Sequence, residues 1–168
     1  MGLLEVLLSL FIAGIIAAGA VLLYGMASDR RNAERTVTEV NFLASVVSQT
    51  YRNTTDQEAG DVTDVVANNR LVPKSWLSGS GGINTPYGPV QIAFIGSNAF
   101  YIRALSLSRS ACQELTKMAY SPAVMFTQPN QVAQYSIRGS SPFLPTAGEL
   151  GRDCTTQGNY VYVMYYLM

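Results

Sequence analysis

The N-terminal 28 residues are almost entirely apolar, and this feature limits what the chain can fold into more than any other. From Met1 to Ser28 the only charged side chain is Glu5. A helix crosses the hydrocarbon core of a bilayer with ~20 apolar residues. We therefore predict a transmembrane helix over 1–28, which is too long for the apolar core of a signal peptide and has no basic residue before it.

The helix is predicted to continue beyond the membrane, because neither proline nor glycine occurs in 29–52. Apolar residues recur there at the spacing of one helical face, whereas Glu34, Arg35 and Glu39 fall outside that stripe. We predict one unbroken helix from Leu3 to Arg52, apolar all round in its first half and amphipathic in its second. The stripe consists of Val37, Val40, Ala44, Val47 and Tyr51, widened by Leu43 and Val46.

The remainder, 53–168, is predicted to be a globular head in which an antiparallel sheet packs on the amphipathic helix, an α+β fold. A short helix is expected near Val62–Asn69, capped by Asp61 or Thr63, and a β-hairpin over Val90–Leu105. A further helix follows, with Ser110 as its N-cap. Next come a strand at "AVMFTQ", a long irregular loop over 128–158 and a final strand at "NYVYVMYYLM". We expect the alternating tyrosines of that strand to pack in the sheet; a ligand-binding platform is the alternative.

The two cysteines, Cys112 and Cys154, are predicted to form a disulfide; two thiols in a reducing compartment are the alternative. Arg30 and Arg31 directly follow the apolar segment, and by the positive-inside rule they would keep the head in the cytoplasm, where a disulfide is not expected. The conflict disappears if a short basic leader preceded Met1 and was removed after insertion. We expect such processing, which would leave a free amine on Met1.

Glu5 calls for a functional explanation, because a charge within an apolar segment is costly. We favour a role in register: in parallel, staggered helices Glu5 of one subunit meets the Met1 amine of another, as a buried polar group fixes register in coiled coils. The alternative is a first-turn acid that the helix dipole favours at the lipid headgroups. Small residues at Gly14, Ala18 and Gly19 predict close approach of neighbouring helices, or are ordinary transmembrane composition.

The composition argues against an enzyme and against direct binding of nucleic acid. The chain has no histidine, and its 11 basic and 11 acidic residues balance, whereas nucleic acid requires a basic surface. No pairing of a nucleophile with a base and no phosphate-binding glycine loop is present. We predict no enzymatic activity, no cofactor and no metal.

The N-terminus "MGLLEVLLSLFIAGIIAAGAVLL" resembles that of a mature type IV pilin of the type IVb group, with Met first and Glu at position 5. A looser similarity continues through "LVP", "TPYG", "ACQEL" and the second cysteine. The resemblance implies cleavage by a prepilin peptidase, methylation of the Met1 amine and its pairing with Glu5. It also implies an αβ-loop over 53–89 and a D-region bounded by Cys112 and Cys154.

The expected function is that of a structural subunit, a major pilin, which polymerises with copies of itself through its N-terminal helix. The resemblance places it in the bacterial inner membrane, with its assembly machinery, before assembly and in an extracellular pilus afterwards. Such a fibre serves adhesion, aggregation, twitching or conjugative DNA transfer. A minor pilin or a type II secretion pseudopilin is the first alternative, and a single-pass membrane-anchored binding protein is the second.

Overall fold

The computed structural model describes residues 2–52, 59–118, 124–129 (backbone only), 146–156 and 158–167. Met1 and a large part of the D-region therefore lie outside the described residues. The elements in chain order are α1 (Leu3–Tyr51), β1 (Gly60–Asp61), α2 (Thr63–Ala67), a 3₁₀ helix (Lys74–Trp76), β2 (Ile83–Asn84), β3 (Pro89–Ile95), β4 (Ala99–Leu107), α3 (Arg109–Lys117), β5 (Val124–Pro129), α4 (Ala147–Asp153) and β6 (Asn159–Tyr166).

Helix α1 is continuous over 49 residues, which confirms the predicted single helix from apolar segment to head. Its first half is exposed, and its second half supplies one wall of the core. The predicted stripe is confirmed: its central members are buried, and Val37 and Tyr51 pack against the core at its margins. The buried face begins earlier than the stripe, at Ala33 and Thr36.

Glu39 is buried, which corrects the prediction that it lies outside the packed face. Its side chain is 3% exposed, and one carboxylate oxygen accepts a hydrogen bond from Arg35 Nε at 2.7 Å. The other oxygen has no hydrogen-bond partner among the described residues. The prediction limited the packed face to a narrow apolar stripe. The head covers a wider part of the helix surface, and this part includes Glu39 next to Val46.

The sheet is antiparallel, with the strand order β1–β3–β4–β6–β5 and the short β2 also paired with β3. Strands β3 and β4 form the predicted hairpin, in which Val90 pairs with Ala104 and Ile95 with Ala99. Burial alternates along β4 and β6, so one face of each strand meets the core. This inner face packs with α1 and α3 around one core, whose largest buried side chains include Phe100, Leu43 and Ile102.

Three local expectations differ from the structure. Helix α2 is shorter than predicted and has Val62 as its N-cap residue, although the Asp61 carboxylate does accept a hydrogen bond from the Thr63 N–H at 2.9 Å. Ser108, not Ser110, caps α3 and accepts from the Ala111 N–H. The predicted irregular loop over 128–158 contains a helix, α4, which begins with a capping box between Thr146 and Glu149.

The two ion pairs of α1 differ in burial and therefore allow a matched test of stability. Arg35→Ala leaves the buried Glu39 carboxylate without its partner, and we expect a loss of about 1–2 kcal/mol of unfolding free energy. Arg30→Ala breaks a pair in which the side chains are 82% and 64% exposed, and we expect a loss of about 0.5 kcal/mol or less. Urea unfolding of the detergent-solubilised protein, followed by Trp76 fluorescence, measures both; equal losses would contradict the buried position of Glu39.

Candidate functional site

Glu5 lies in the first turn of α1 and is exposed, with no ion pair among the described residues. The helix begins at Leu3, and its N-cap residue, Gly2, provides no side-chain cap. The next charged residue along α1 is Asp29, roughly 36 Å away at 1.5 Å per residue. Since Met1 lies outside the described residues, the predicted pairing of Glu5 with the terminal amine stays a prediction. The described residues supply no counterion for Glu5.

The small residues of α1 do not share one face. Gly14 and Ala18 are one helical turn apart and lie on the same side, whereas Gly19 lies well round the helix from both. A Cβ added at Gly14 or Gly19 would meet nothing within 4 Å. Both sides of the helix are thus open to close approach by other helices, and whether helices pack there stays a prediction.

The first half of α1 forms the largest apolar surface in the described part of the chain. Its large apolar side chains between Leu3 and Met26 are 46% to 82% exposed. The helix is long and apolar enough to cross a membrane, and none of its most apolar 18-residue window is buried. Monomeric soluble proteins rarely expose contiguous apolar surface on this scale, so this segment requires lipid or other protein around it.

A polar junction, formed by Asp29, Tyr87 and Ser110, joins the end of the apolar segment to the head. The Tyr87 hydroxyl lies 2.6 Å from Oδ1 and 2.7 Å from the backbone oxygen of Asp29, close enough to donate to either. The Ser110 hydroxyl donates to Oδ2 of the same carboxylate. Burial and the hydrogen bond to Asp29 raise the pKa of Tyr87 to about 12. Both oxygens of Asp29 are therefore held by residues that are far away in sequence.

The sequence interpretation did not identify this junction, although two signals were present. Asp29 is the first charged residue after the apolar segment, and Tyr87 belongs to the "TPYG" turn. Gly88 allows that turn to lie close to β4, since a Cβ on Gly88 would lie 3.2 Å from the Cβ of Ser106. Ser110 is the predicted N-cap of α3, but its hydroxyl instead donates a hydrogen bond to Asp29. Spacing alone could not reveal three residues that come together from separate elements.

Cys112 and Cys154 form the predicted disulfide, with an S–S distance of 1.99 Å and a Cα–Cα distance of 5.7 Å. Cys112 lies in the first turns of α3, and Cys154 immediately follows α4. Both are fully buried. The bond thus ties the end of the segment 112–154 to the helix that packs against α1, whatever path the residues between them take.

Comparison with known proteins found no family model that matches the sequence and no curated protein that matches it. The family is therefore not shown by similarity, and the type IV pilin reading stays an expectation. What the structure contributes is geometry: a continuous helix with an exposed apolar half, an isolated acid near its start, a polar junction and a disulfide. A functional proposal has to follow from these features.

The junction should stabilise the contact between the helix and the head. Tyr87→Phe removes the hydroxyl that donates to Asp29, and we expect a loss of about 1–2 kcal/mol of unfolding free energy, because a hydrogen bond to a charged group is lost. Tyr101→Phe is the matched control, since its half-buried hydroxyl forms no hydrogen bond within the described residues. Urea unfolding with Trp76 fluorescence compares them; a Tyr87→Phe midpoint equal to that of the control would show that the junction carries no stability.

The disulfide should contribute to the free energy of unfolding independently of the polar junction. The cysteines are 42 residues apart, and the chain-entropy relation gives roughly 4 kcal/mol for a loop of that length. We expect the double variant Cys112→Ser/Cys154→Ser to lose several kcal/mol, and reduction of the native protein to cause the same loss. Mass spectrometry without reductant should find the two cysteine peptides linked; free thiols in native protein would refute an oxidised state.

Proposed function

We propose that this chain is a structural subunit of a type IV pilus and that it polymerises through α1 into an extracellular filament. The observation that carries the proposal is the character of α1: one helix whose apolar half is exposed and whose other half is part of the head's core. A simple membrane anchor needs only a span and a flexible linker. Here no glycine or proline separates the span from the head.

The apolar half of α1 explains why the subunit stays in lipid until other copies surround its helix. Burying a large aliphatic or aromatic side chain contributes about 1.5–3 kcal/mol relative to leaving it in water, and most large side chains from Leu3 to Met26 are more than half exposed. Before assembly, lipid covers this surface. In a filament the same surface packs on neighbouring copies, with Gly14, Ala18 and Gly19 as points of close approach.

Glu5 supplies the register that apolar packing lacks. Apolar surfaces slide with little change in free energy, whereas a charge pair in an apolar environment has one favourable position. No cation among residues with described positions pairs with Glu5, so Glu5 is available to the Met1 amine of an adjacent subunit. A prepilin peptidase that cleaves a leader before Met1 would create that amine, and the inner-membrane assembly machinery would place the subunits.

The disulfide supports a head that matures outside the reducing cytoplasm. It also favours a pilin over a type II secretion pseudopilin, because pseudopilins often lack such a bond. A minor pilin would share these features and stays an alternative, as does a membrane-anchored binding protein, for which Glu5 would have no role. The fibre would serve adhesion, aggregation, twitching or conjugative DNA transfer.

The test is filament formation by cells that carry Glu5→Ala. We expect few or no filaments in electron micrographs of sheared material, while the protein is still found in the membrane fraction, because insertion depends on the apolar surface and assembly depends on register. The matched control is Glu34→Ala, which removes an exposed acid of the same helix. Control cells should form filaments in normal numbers.

Two outcomes would contradict the proposal. Normal fibres from Glu5→Ala cells would remove the register role. Wild-type protein that stays a monomer in the membrane, with no filaments under any growth condition, would favour a single-pass anchored protein instead.

A further inference from the structure

The outer face of the sheet, which is turned away from α1, carries a cluster of polar and aromatic residues from three adjacent strands. Gln91 of β3 pairs with Arg103 of β4, and Arg103 pairs with Tyr162 of β6. We call these residues, together with Tyr101 and Tyr160, the Arg103 surface. Each of them is half-buried, in contrast to the fully buried neighbours that alternate with them and face the core.

Arg103 is held by aromatic rings. Its guanidinium carbon lies 4.7 Å from the ring centroid of Tyr160 and 5.2 Å from that of Tyr162. The two rings meet edge to face at 5.7 Å, and Tyr101 meets Tyr162 in the same way at 5.3 Å. Such cation–π contacts orient a guanidinium and do not neutralise it. The cluster therefore presents a positioned positive charge.

No acid of the described residues forms an ion pair with Arg103. Its Nε–H is buried and has no hydrogen-bond partner in that part of the chain. The nearest acid along the sheet is Asp61 of β1, whose carboxylate already accepts from Thr63 and from the Gln91 amide, the latter at 3.0 Å. The arginine is thus the member of this face whose charge no described residue compensates with an ion pair.

We propose that the Arg103 surface binds an acidic saccharide, a sugar ring that carries a carboxylate. The positive charge of Arg103 favours an anionic ligand. Its planar guanidinium group can donate two parallel hydrogen bonds to one carboxylate. The tyrosines provide what a pyranose needs: aromatic rings against its C–H face and, from Tyr101 and Tyr162, hydroxyls for its own hydroxyls. Gln91 adds an amide beside the arginine, which can both donate and accept.

This inference goes beyond the proposed function and does not depend on it. An isolated carboxylate on a peptide would use the arginine alone, whereas the neighbouring rings, hydroxyls and amide suit a ligand that is both anionic and rich in hydroxyls. In a filament with α1 at its centre, the outer sheet face would be directed away from the rods. Binding to the solubilised subunit tests the site by itself, so failure of filament assembly and failure of the site remain separate results.

The experiment is a ligand-observed NMR titration of the detergent-solubilised full-length protein with 3′-sialyllactose and, separately, with lactose, which lacks the carboxylated sugar. We expect sialyllactose to bind at least 10-fold more tightly than lactose, and its binding to weaken as salt is added. Arg103→Gln should weaken sialyllactose binding at least 10-fold. Arg70→Gln, a change at an exposed arginine in the loop after α2, should leave it unchanged.

The proposal is overturned by any of three results: no binding to the native protein, equal binding of lactose, or equal weakening by Arg70→Gln. N-acetylglutamate amide that binds as tightly as sialyllactose would also overturn it, in favour of a peptide carboxylate. The lactose comparison uses native protein only, so it remains decisive if Arg103→Gln fails to fold. Urea unfolding with Trp76 fluorescence checks the fold of both variants.

Discussion

The continuity of α1 is the constraint on which the rest of the structure depends. Its second half is fixed in the head by the buried face from Ala33 to Val47, and its first half leaves the head with nothing in the described residues to cover it. Because no break separates the two halves, the direction of the apolar rod is set by the packing of the core. The large exposed apolar surface of the first half calls for lipid or other copies around it.

The boundary between the two halves is marked by polar contacts of different kinds. Asp29 is the first charged residue after the apolar segment, and it is held by Tyr87 and Ser110 from two separate parts of the head. About three turns later Glu39 is buried against the head with Arg35 as its partner. A carboxylate that bonds to the head at the start of the docked half helps to define where the helix stops being exposed and begins to be packed.

The periodic features of the fold could be predicted from the sequence, because they repeat. The helix, the hairpin and the final strand follow from spacing, and the absence of glycine and proline from 29–52 predicted that α1 continues beyond its apolar segment. Features that depend on a single contact could not be predicted in the same way. Glu39 is covered by chain distant from it. Ser108 rather than Ser110 caps α3, and Ser110 donates to Asp29. The capping box of α4 lies within a glycine-containing segment that the sequence predicts as a loop.

The second half of α1 and the Arg103 surface lie on opposite sides of the same core. Helix α1 covers the inner face through residues such as Leu43, and the Arg103 surface occupies the outer face of β3, β4 and β6. No residue belongs to both. A substitution on the outer face can therefore alter charge or hydrogen bonding without touching α1, since Ile92, Ile102 and Val163 lie between them as a fully buried layer. Because this layer separates them, the polar residues of the outer face can be changed while the core packing that sets the direction of the apolar half of α1 stays the same.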